Sequence, residues 1–364
     1  MKFKDFIAKI PLYAYITVGV ALFCALIHLV SVFVSPFADF FNTTVAAFFR
    51  LILAKLTGWI PISLAEIMII LLPVIIGVLI FFTVRAVKKQ YIIKFLAIFF
   101  SSITIFYSLF VLTFATGYRG TPLEKKLGLE RAAVNVADLK STTEIVVDKL
   151  NELVDNIDYG DDCFSNMPYS FSALNDKLND AYRSGSKKYG SIQSFSSRVK
   201  AIMLSEPMTY THISGVYTFF TGEANVNVNY PEYNHPFTMA HEMAHQRGIA
   251  REDEANFVAY LICLESEDNF VRYSAYLNMF EYLSSALGKA DGEIQLEMWN
   301  KLDVRVIKEL FAYSEFFEKY RDNVAADVSD AVNDGYLVSQ GQSSGTMSYG
   351  LVVELAVAYY KDQG

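Results

Sequence analysis

The chain has 364 residues, of which 53% are hydrophobic and 19% are charged, and its formal net charge is −8. This composition is more apolar than that of an ordinary soluble protein and indicates segments embedded in a membrane. Residues 1–118 contain nine Lys or Arg and three Asp or Glu, so the remaining residues carry a net charge of −14. An acidic remainder lacks the basic footprint that nucleic-acid binding requires, and no nucleic-acid partner is expected.

Three apolar stretches in the first 118 residues predict transmembrane helices. They lie at about residues 12–34, 63–84 and 95–117, and about 20 apolar residues suffice to cross a bilayer. Pro73 predicts a kink in the second helix, which packing within a membrane tolerates. Residues 1–118 are therefore predicted to be a membrane domain, with the lipid bilayer as its partner.

Basic residues predict the orientation of these helices. Seven Lys or Arg precede the first helix or separate the second from the third, whereas only Arg50 and Lys55 lie between the first and the second. Cytoplasmic loops carry the excess of Lys and Arg, so the N-terminus is expected in the cytoplasm. Three crossings then place residues 119–364 outside the cytoplasm.

The loop at about residues 37–58 has a helical pattern of its own. Its apolar side chains recur with helical spacing beside Arg50 and Lys55, which is typical of an amphipathic helix in the membrane interface. Such a helix serves as an anchor, or alternatively as a surface that presents membrane-near substrates to a site further along the chain.

Helices and two strands are predicted in the first part of residues 119–364. An apolar stripe at 145–157 predicts a helix, and further helices are expected at 172–182 and 192–203. Alternating apolar and polar residues at 223–230 predict a strand, and 215–220 is a second candidate strand. The polar face of the longer strand would line a peptide-binding cleft by strand addition, or would simply face solvent.

The segment His241-Glu242-Met243-Ala244-His245 is the strongest motif of the chain. A helix is expected from about residue 237 to 246, because Pro236 suits a first turn and Gly248 suits a left-handed C-cap. Residues four apart on a helix lie above one another, so the two histidines can bind one Zn²⁺ with Glu242 beside it. This pattern predicts a zinc site with Glu242 as the general base.

A second helix follows at about residues 251–262 and offers a third ligand. A carboxylate from such a helix completes the His₂Glu type of zinc site, and Glu252 and Glu254 are the candidates. Glu252 is preferred because it shares a face with two alanines, which allow close helix packing, and with Asn256, which can orient a ligand. Glu254 stays an alternative ligand, and for either residue the non-functional interpretation is a first-turn acid that stabilises the helix dipole.

Other residues have more than one interpretation. The candidates for stabilising an oxyanion are His212, Tyr217, His235 and Tyr349, without ranking. Cys163 and Cys263 form a disulfide or remain unpaired small core residues.

Beyond the zinc helices, three further helices are expected, at residues 273–287, 304–320 and 347–360, around a Gly/Ser-rich loop at 339–345.

The motif His241-Glu242-x-x-His245 followed by Glu252-x-x-Ala255-Asn256 resembles the gluzincin peptidases. In those enzymes a glutamate that opens an E-x-x-A-D or E-x-x-A-N helix is the third zinc ligand, although the six residues between His245 and Glu252 are fewer than in most of them. Nearly the whole chain resembles a bacterial membrane family, domain of unknown function 3810. The matching segments are Tyr118–Leu123, Thr221–Asn225, Pro236–Phe257 and Ser348–Gly350.

These resemblances imply a multi-pass protein of the bacterial cytoplasmic membrane. The expected architecture is an α-helical membrane anchor of three transmembrane helices plus a mainly α, α+β zincin-like extracytoplasmic domain. The expected function is a zinc-dependent metallopeptidase that acts on peptides or proteins, in which zinc activates a water and Glu242 accepts its proton. The alternative is a non-catalytic binding or scaffolding module with a structural or vestigial zinc site.

Overall fold

The computed structural model describes residues 9–88, 91–342, 345 and 350–363. Lys2, Lys4, Lys89 and Tyr349, which contributed to the expectations above, lie outside this range. The chain is mostly helical. It divides into two compact units, one of residues 1–120 with 218–223, the other of residues 121–217 with 224–364.

The first unit is built from apolar helices. In chain order they are α1 (Leu12–Phe33), α2 (Ser35–Phe41), a π-helical turn (Asn42–Ala46), α3 (Ala47–Thr57), α4 (Leu64–Ile70), α5 (Leu72–Lys88), α6 (Ile92–Thr113) and a 3₁₀ turn (Ala115–Arg119). Among the described residues, three helical stretches are long and apolar enough to cross a membrane: Leu12–Phe33, Ser35–Thr57 and Ile92–Thr113. Two of the three predicted crossings therefore coincide with single helices.

The remaining predicted crossing, at residues 63–84, is a broken helix. Helices α4 and α5 are bent by 57° and together form a further candidate span. The break at Leu71 comes two residues before Pro73, because proline fits the first turn of a new helix but not a helix interior. The interfacial position of residues 37–58 stays a prediction, since the stretch Ser35–Thr57 is itself long enough to cross.

Arg50 is completely buried among these apolar helices. Its guanidinium donates hydrogen bonds to the Asn42 side chain and to the Thr113 carbonyl, both at 2.8 Å. A buried charge without partners is costly, so these bonds explain how an arginine is accommodated here. They also connect α3 to the last turn of α6.

Residues 218–223 belong to the first unit although they are distant in sequence. The ring of Phe219 packs against Phe106 of α6, with 5.0 Å between centroids. The buried Glu223 carboxylate accepts hydrogen bonds from the Leu64 and Ala65 N–H groups, at 3.1 and 3.2 Å. Amides at a helix N-terminus lack partners within the helix, so Glu223 satisfies the start of α4.

The second unit combines a small sheet with many helices. Its elements are α7 (Leu123–Leu127), α8 (Val136–Leu153), α9 (Phe171–Tyr189), β1 (Val199–Ala201), α10 (Ser205–Thr209), β2 (Gly215–Thr218), β3 (Glu223–Val226), α11 (Asn234–Gln246), α12 (Glu252–Leu264), α13 (Asn269–Ala290), α14 (Gly292–Lys301), α15 (Val304–Glu318), α16 (Val324–Ser339) and α17 (Val352–Gln363). The strand order is β1-β3-β2, and β1 pairs parallel to β3 with Val199 opposite Ala224.

The helix predicted at 192–203 is wrong, because residues 199–201 form β1. The Asn175 side chain accepts a hydrogen bond from Val199 N–H at 2.7 Å and donates one to the Val199 carbonyl at 3.2 Å. These contacts and the pairing with β3 come from distant parts of the chain. A local apolar pattern contains no information about them.

The expected role of the strand at 223–230 also needs correction. The strand ends at Val226, all of its residues are buried, and it is the central strand of the sheet. It therefore neither lines a cleft with its polar face nor exposes that face to solvent. The strand β2, next to β3, lies at an edge of the sheet.

Other predicted helices are present with shifted ends, as α8, α9, α13, α15 and α17. No prediction covered α14 and α16.

Cys163 and Cys263 are both free, so the disulfide alternative is wrong. The thiol of Cys263 is instead buried 3.8 Å from the Pro236 carbonyl, in agreement with a small core residue.

Helix α11 lies at the centre of the second unit. All 13 of its residues are buried, and α12 is buried over all but its last residue. The Tyr182 hydroxyl of α9 donates a hydrogen bond to the Ala240 carbonyl at 2.6 Å. A helix enclosed on all sides is rigidly held, which is suitable for side chains that must meet at fixed distances.

Candidate metal centre

His241, His245 and Glu252 converge in the interior of the second unit. The Nε2 atoms of both histidines lie 3.3 Å from Glu252 Oε2, and all three side chains are buried. In a tetrahedral zinc site with bonds of 2.0–2.1 Å, two neighbouring ligand atoms are about 3.3 Å apart. The two distances from Glu252 therefore match the spacing that such an ion requires, and the three donor atoms all lie within 4.8 Å of one another.

Local geometry explains why these side chains meet. One turn of α11 separates the two imidazoles, whose rings are 4.6 Å apart and nearly perpendicular. Gly248 has a φ of 91°, a left-handed conformation that glycine adopts without strain and that ends the helix. Helix α12 then starts at Glu252 itself, and the fully buried Ala255 and Ala259 allow its close packing.

The orientation of His245 is set by a backbone carbonyl. Its Nδ1 lies 2.7 Å from the Ile249 oxygen, and because a carbonyl only accepts, Nδ1 carries the proton. Nε2 is then the ring nitrogen that can offer a lone pair to a metal ion, as a metal ligand must. The C-cap at Gly248 places this carbonyl, since Ile249 N–H bonds back to Ala244 O at 3.1 Å.

Asn256 has the position that was predicted for a residue orienting a ligand. Its side chain lies beside the ring of His241 and beside the hydroxyl of Tyr282. Its amide nitrogen is buried and has no hydrogen-bond partner among the described residues. Tyr282, on α13, was not identified from the sequence because no local motif marks it.

Glu254 lies outside the group of donor atoms. Its carboxylate accepts hydrogen bonds from Leu123 N–H at 2.9 Å and from the Arg251 guanidinium at 2.8 Å. The neighbouring Asp253 forms an ion pair with Arg131 at 2.7 Å. Of the two candidate glutamates, the structure therefore brings Glu252 to the histidines and uses Glu254 to hold the start of α7.

Glu242 lies under the edge strand β2. A Cβ atom added at Gly215 would lie 2.5 Å from Glu242 Oε1 and 2.8 Å from Thr238 Cγ2, so only glycine fits at this contact. Glu242 Oε2 is buried and makes no hydrogen bond to a described residue. Sequence reasoning missed Gly215, although a glycine opening a strand often marks a close approach.

The two carboxylates of the site differ in their acidity. Burial raises the pKa of Glu242 to about 8, and the charge of Glu252 acts in the same direction. Burial also opposes ionisation of Glu252, but His245 and His241 outweigh it and hold the pKa of Glu252 well below its usual range. Two neighbouring carboxylates with such different pKa values are typical of catalytic sites, in which one carboxylate stays ionised and the other exchanges a proton.

When no metal is bound, the two imidazoles also differ in their pKa values. Burial lowers the pKa of His241, and the neighbouring His245 adds to this effect. Burial acts in the same way on His245, but Glu252 outweighs it and raises the pKa of His245 to about 9. His245 and Glu252 therefore form an ion pair when no metal is bound.

The four oxyanion candidates occupy different surroundings. His212 and His235 each place Nε2 next to a backbone carbonyl, of Tyr320 at 2.6 Å and of Tyr230 at 3.0 Å, as expected of loop or cap residues. Tyr217 lies two residues after Gly215, and alternate residues of a strand point to the same side. Its side chain therefore lies on the side of β2 that faces α11. Tyr349 lies outside the described residues.

One protein-family model, described as a protein of unknown function (DUF3810), matches residues 41–357. The chain belongs to this family. The matched range includes the three donor residues and Glu242. In comparisons with curated proteins and with solved structures, nothing matches the chain. The predicted family membership is thus confirmed, whereas the likeness to gluzincin peptidases rests on the residues of the site alone.

Proposed function

We propose that the protein is a membrane-anchored, zinc-dependent metallopeptidase that hydrolyses peptide bonds outside the cytoplasm. One observation carries the proposal: the Nε2 atoms of His241 and His245 each lie 3.3 Å from Glu252 Oε2, in the interior of the fold. This arrangement supports a zinc site of the His₂Glu type. The carboxylate of Glu242 on the same helix supports a catalytic site.

His241, His245 and Glu252 would hold the ion. Two neutral imidazoles and one carboxylate suit Zn²⁺, and three protein ligands leave a position open for substrate or water, as catalytic sites do. When bound, zinc polarises a carbonyl group and lowers the pKa of water toward about 7. Structural zinc sites prefer four protein ligands, and the described residues offer a group of three.

Glu242 would act as the general base and then as the general acid. Its Oε2 atom has no hydrogen-bond partner among the described residues, and so it is available to accept a proton from the attacking water. The same proton is then passed to the leaving amine when the C–N bond breaks. Proton transfer by a positioned side chain typically contributes a factor of about 10²–10⁴ to the rate.

The edge strand β2 favours a peptide as substrate. An extended peptide can add to a free sheet edge through main-chain hydrogen bonds, and at Gly215 this edge passes directly over Glu242. A peptide bound along β2 would thus lie close to the base. Tyr217, on the same side of the strand, is the candidate donor to the developing oxyanion.

The competing function is a binding or scaffolding module with a non-catalytic metal. A non-catalytic site has no use for a carboxylate buried beside the histidines without a hydrogen bond. Burying such a group costs free energy. The presence of such an unfavourably buried carboxylate therefore favours the catalytic function over the non-catalytic one.

Replacing Glu242 tests the proposal in the full-length protein in detergent. We expect about one zinc per chain by elemental analysis, and hydrolysis of a peptide mixture by mass spectrometry. Glu242→Gln should retain the zinc and lose activity by about 10²–10⁴-fold, whereas Glu315→Gln, an exposed acid on α15, should retain both. If Glu242→Gln cleaves at the wild-type rate, or if the wild type binds no zinc, the proposal is wrong.

The location outside the cytoplasm needs a separate test. In intact cells, a protease added outside should digest residues 121–364 while a cytoplasmic marker stays whole. Protection of this segment in intact cells, with digestion only after lysis, would place the site in the cytoplasm and contradict the proposed topology.

A further inference from the structure

Strand β2, which passes over Glu242, is supported by strand pairing on one side. Among the described residues its one neighbour in the sheet is β3, and Val216 of β2 is exposed. A Cβ atom added at Gly215 would already lie 2.5 Å from Glu242 Oε1, so a small movement of the strand changes the surroundings of the base. The contacts that hold the beginning of β2 therefore bear on the site.

His212, three residues before Gly215, has a left-handed backbone. Its φ is 59°, a conformation that residues other than glycine adopt rarely. Such strain persists where the surroundings impose it, and it is concentrated at functional sites. Nε2 of His212 lies 2.6 Å from the Tyr320 carbonyl oxygen, and its ring lies 4.9 Å from that of Phe317. Because a carbonyl only accepts hydrogen bonds, Nε2 is the donor, and residues at the end of α15 hold the strained turn.

Tyr320 contacts the segments on both sides of the strand pair. Its carbonyl accepts the hydrogen bond from His212, and its ring lies 4.9 Å from the ring of Tyr210, in the segment before β2. Its hydroxyl accepts a hydrogen bond from the Asn229 side chain at 3.1 Å, in the segment after β3. Tyr320 is itself almost completely buried. It therefore connects the two strands at the end opposite to the turn that joins them.

Asn227 extends this support from His212 to Gly215. It is completely buried, and its side chain donates a hydrogen bond to the Ile213 carbonyl at 3.2 Å. Its backbone N–H donates to the Ser214 carbonyl at 2.8 Å. Both residues between His212 and Gly215 are thus bonded to Asn227, so the position of His212 is transmitted to the start of β2.

We propose that His212 is a positioning residue of the active site, which holds strand β2 over Glu242 through its hydrogen bond to the Tyr320 carbonyl. Its part in catalysis rests on the proposed peptidase function, whereas the support of β2 rests on the contacts around Tyr320 and Asn227. A strand that is fixed in advance does not have to be ordered when a peptide binds, and it places the scissile bond at a constant distance from the base.

Replacing His212 by glycine in the full-length protein in detergent tests this role. Glycine adopts the left-handed backbone without strain, so His212→Gly removes the bond to Tyr320 and keeps the turn. We expect hydrogen–deuterium exchange, followed by mass spectrometry, to become about 3- to 10-fold faster in residues 213–218, as is typical of the loss of one hydrogen bond. Exchange in α11 and α12 and the zinc content should not change.

Peptide hydrolysis supplies the second measurement. In His212→Gly we expect kcat to fall by about 10- to 100-fold with a smaller change in KM, because a displacement of about 1 Å at a reacting centre has effects of this size. Cys163→Gly is the matched control. Cys163 has a φ of 68° and so the same kind of strain, but it lies between α8 and α9, and its replacement should change neither the exchange of β2 nor kcat.

Three results would overturn the role of His212: unchanged exchange in residues 213–218, exchange that rises throughout the second unit, or faster exchange of β2 with an unchanged kcat. A second variant, His212→Asn, covers the case in which the glycine variant does not fold. Asparagine also tolerates a left-handed backbone, and its side chain is shorter than that of histidine and should not reach the Tyr320 carbonyl. The same results are expected from it.

The two proposals fail separately. Local loosening of β2 in His212→Gly, in a protein whose wild type hydrolyses no peptide, would refute only the peptidase. An active wild type together with unchanged exchange in the variant would refute only the role of His212.

Discussion

Nδ1 of His245 lies 2.7 Å from the carbonyl oxygen of Ile249, four residues later in the chain. The contact exists because Gly248, with a φ of 91°, turns the backbone sharply at the end of α11. The glycine therefore ends the helix and also fixes the tautomer of a candidate metal ligand. Helix termination and site geometry are two consequences of one residue.

Replacing Gly248 should affect both stability and metal binding. Alanine in a left-handed conformation costs about 1–2 kcal/mol, and any relaxation of the turn would move the Ile249 carbonyl away from His245. We expect Gly248→Ala to lower the thermal unfolding temperature and to reduce the further stabilisation by added zinc. Gly335→Ala is the matched control, because this helical glycine has open space around its Cβ position. An equal zinc response in both variants would show that the turn does not control the metal ligand.

The two glutamates that open α12 should respond differently to substitution. Glu252→Gln replaces the carboxylate, whose Oε2 lies 3.3 Å from Nε2 of both imidazoles, by a neutral amide that binds Zn²⁺ more weakly, so zinc should no longer be retained after dialysis. Glu254→Gln weakens the bonds to Leu123 and Arg251 and should cost about 1–3 kcal/mol of stability while zinc stays bound. Elemental analysis and thermal unfolding measure the two effects. The reverse pattern would make Glu254 the ligand.

Adding a methyl group at Gly215 should disturb the base without removing the metal. The new Cβ would lie 2.5 Å from Glu242 Oε1 and 2.8 Å from Thr238 Cγ2, so strand β2 or the carboxylate must shift. Overpacking of this kind typically costs about 1–3 kcal/mol. We expect Gly215→Ala to keep its zinc and to lose peptide hydrolysis, with Gly335→Ala again as control. Full activity in Gly215→Ala would show that Glu242 does not need the observed position.

Glu281 should make the stability depend on pH. Its pKa is raised from the ordinary value of 4.5 to about 8 in the fold, so the folded state favours the protonated form. The stabilisation from protonating it is complete below pH 4.5 and is lost as the pH rises to about 8. The groups that act on Glu281, or on which it acts, are Glu309, Tyr233, Tyr282 and Tyr313.

A comparison of variants isolates this effect. The unfolding temperature of Glu281→Gln minus that of the wild type should be near zero at pH 4.5 and should increase up to about pH 8. Glu315→Gln, which removes an exposed charge, should show no such trend. A difference that is constant or that decreases with pH would mean that Glu281 has a partner in solution.

Much of the candidate site could be predicted because its signals are local. The spacing of His241 and His245, the glycine at 248 and the acids that open α12 all act within one or two helical turns. The same local rules failed for residues 192–203, where β1 forms through pairing with β3 and through bonds to Asn175. They also failed for β3, since its central place in the sheet depends on which strands flank it.

By itself, the sequence determined the apolar helices, the helix that carries both histidines and the family to which the chain belongs, since composition, periodicity and motifs are properties of neighbouring residues. Only the tertiary structure decided that Glu252 and not Glu254 lies beside the histidines and that Gly215 lies against Glu242. Each of these contacts joins different elements of the fold. Their geometry depends on how those elements pack, and a pattern along one helix or strand cannot specify that packing.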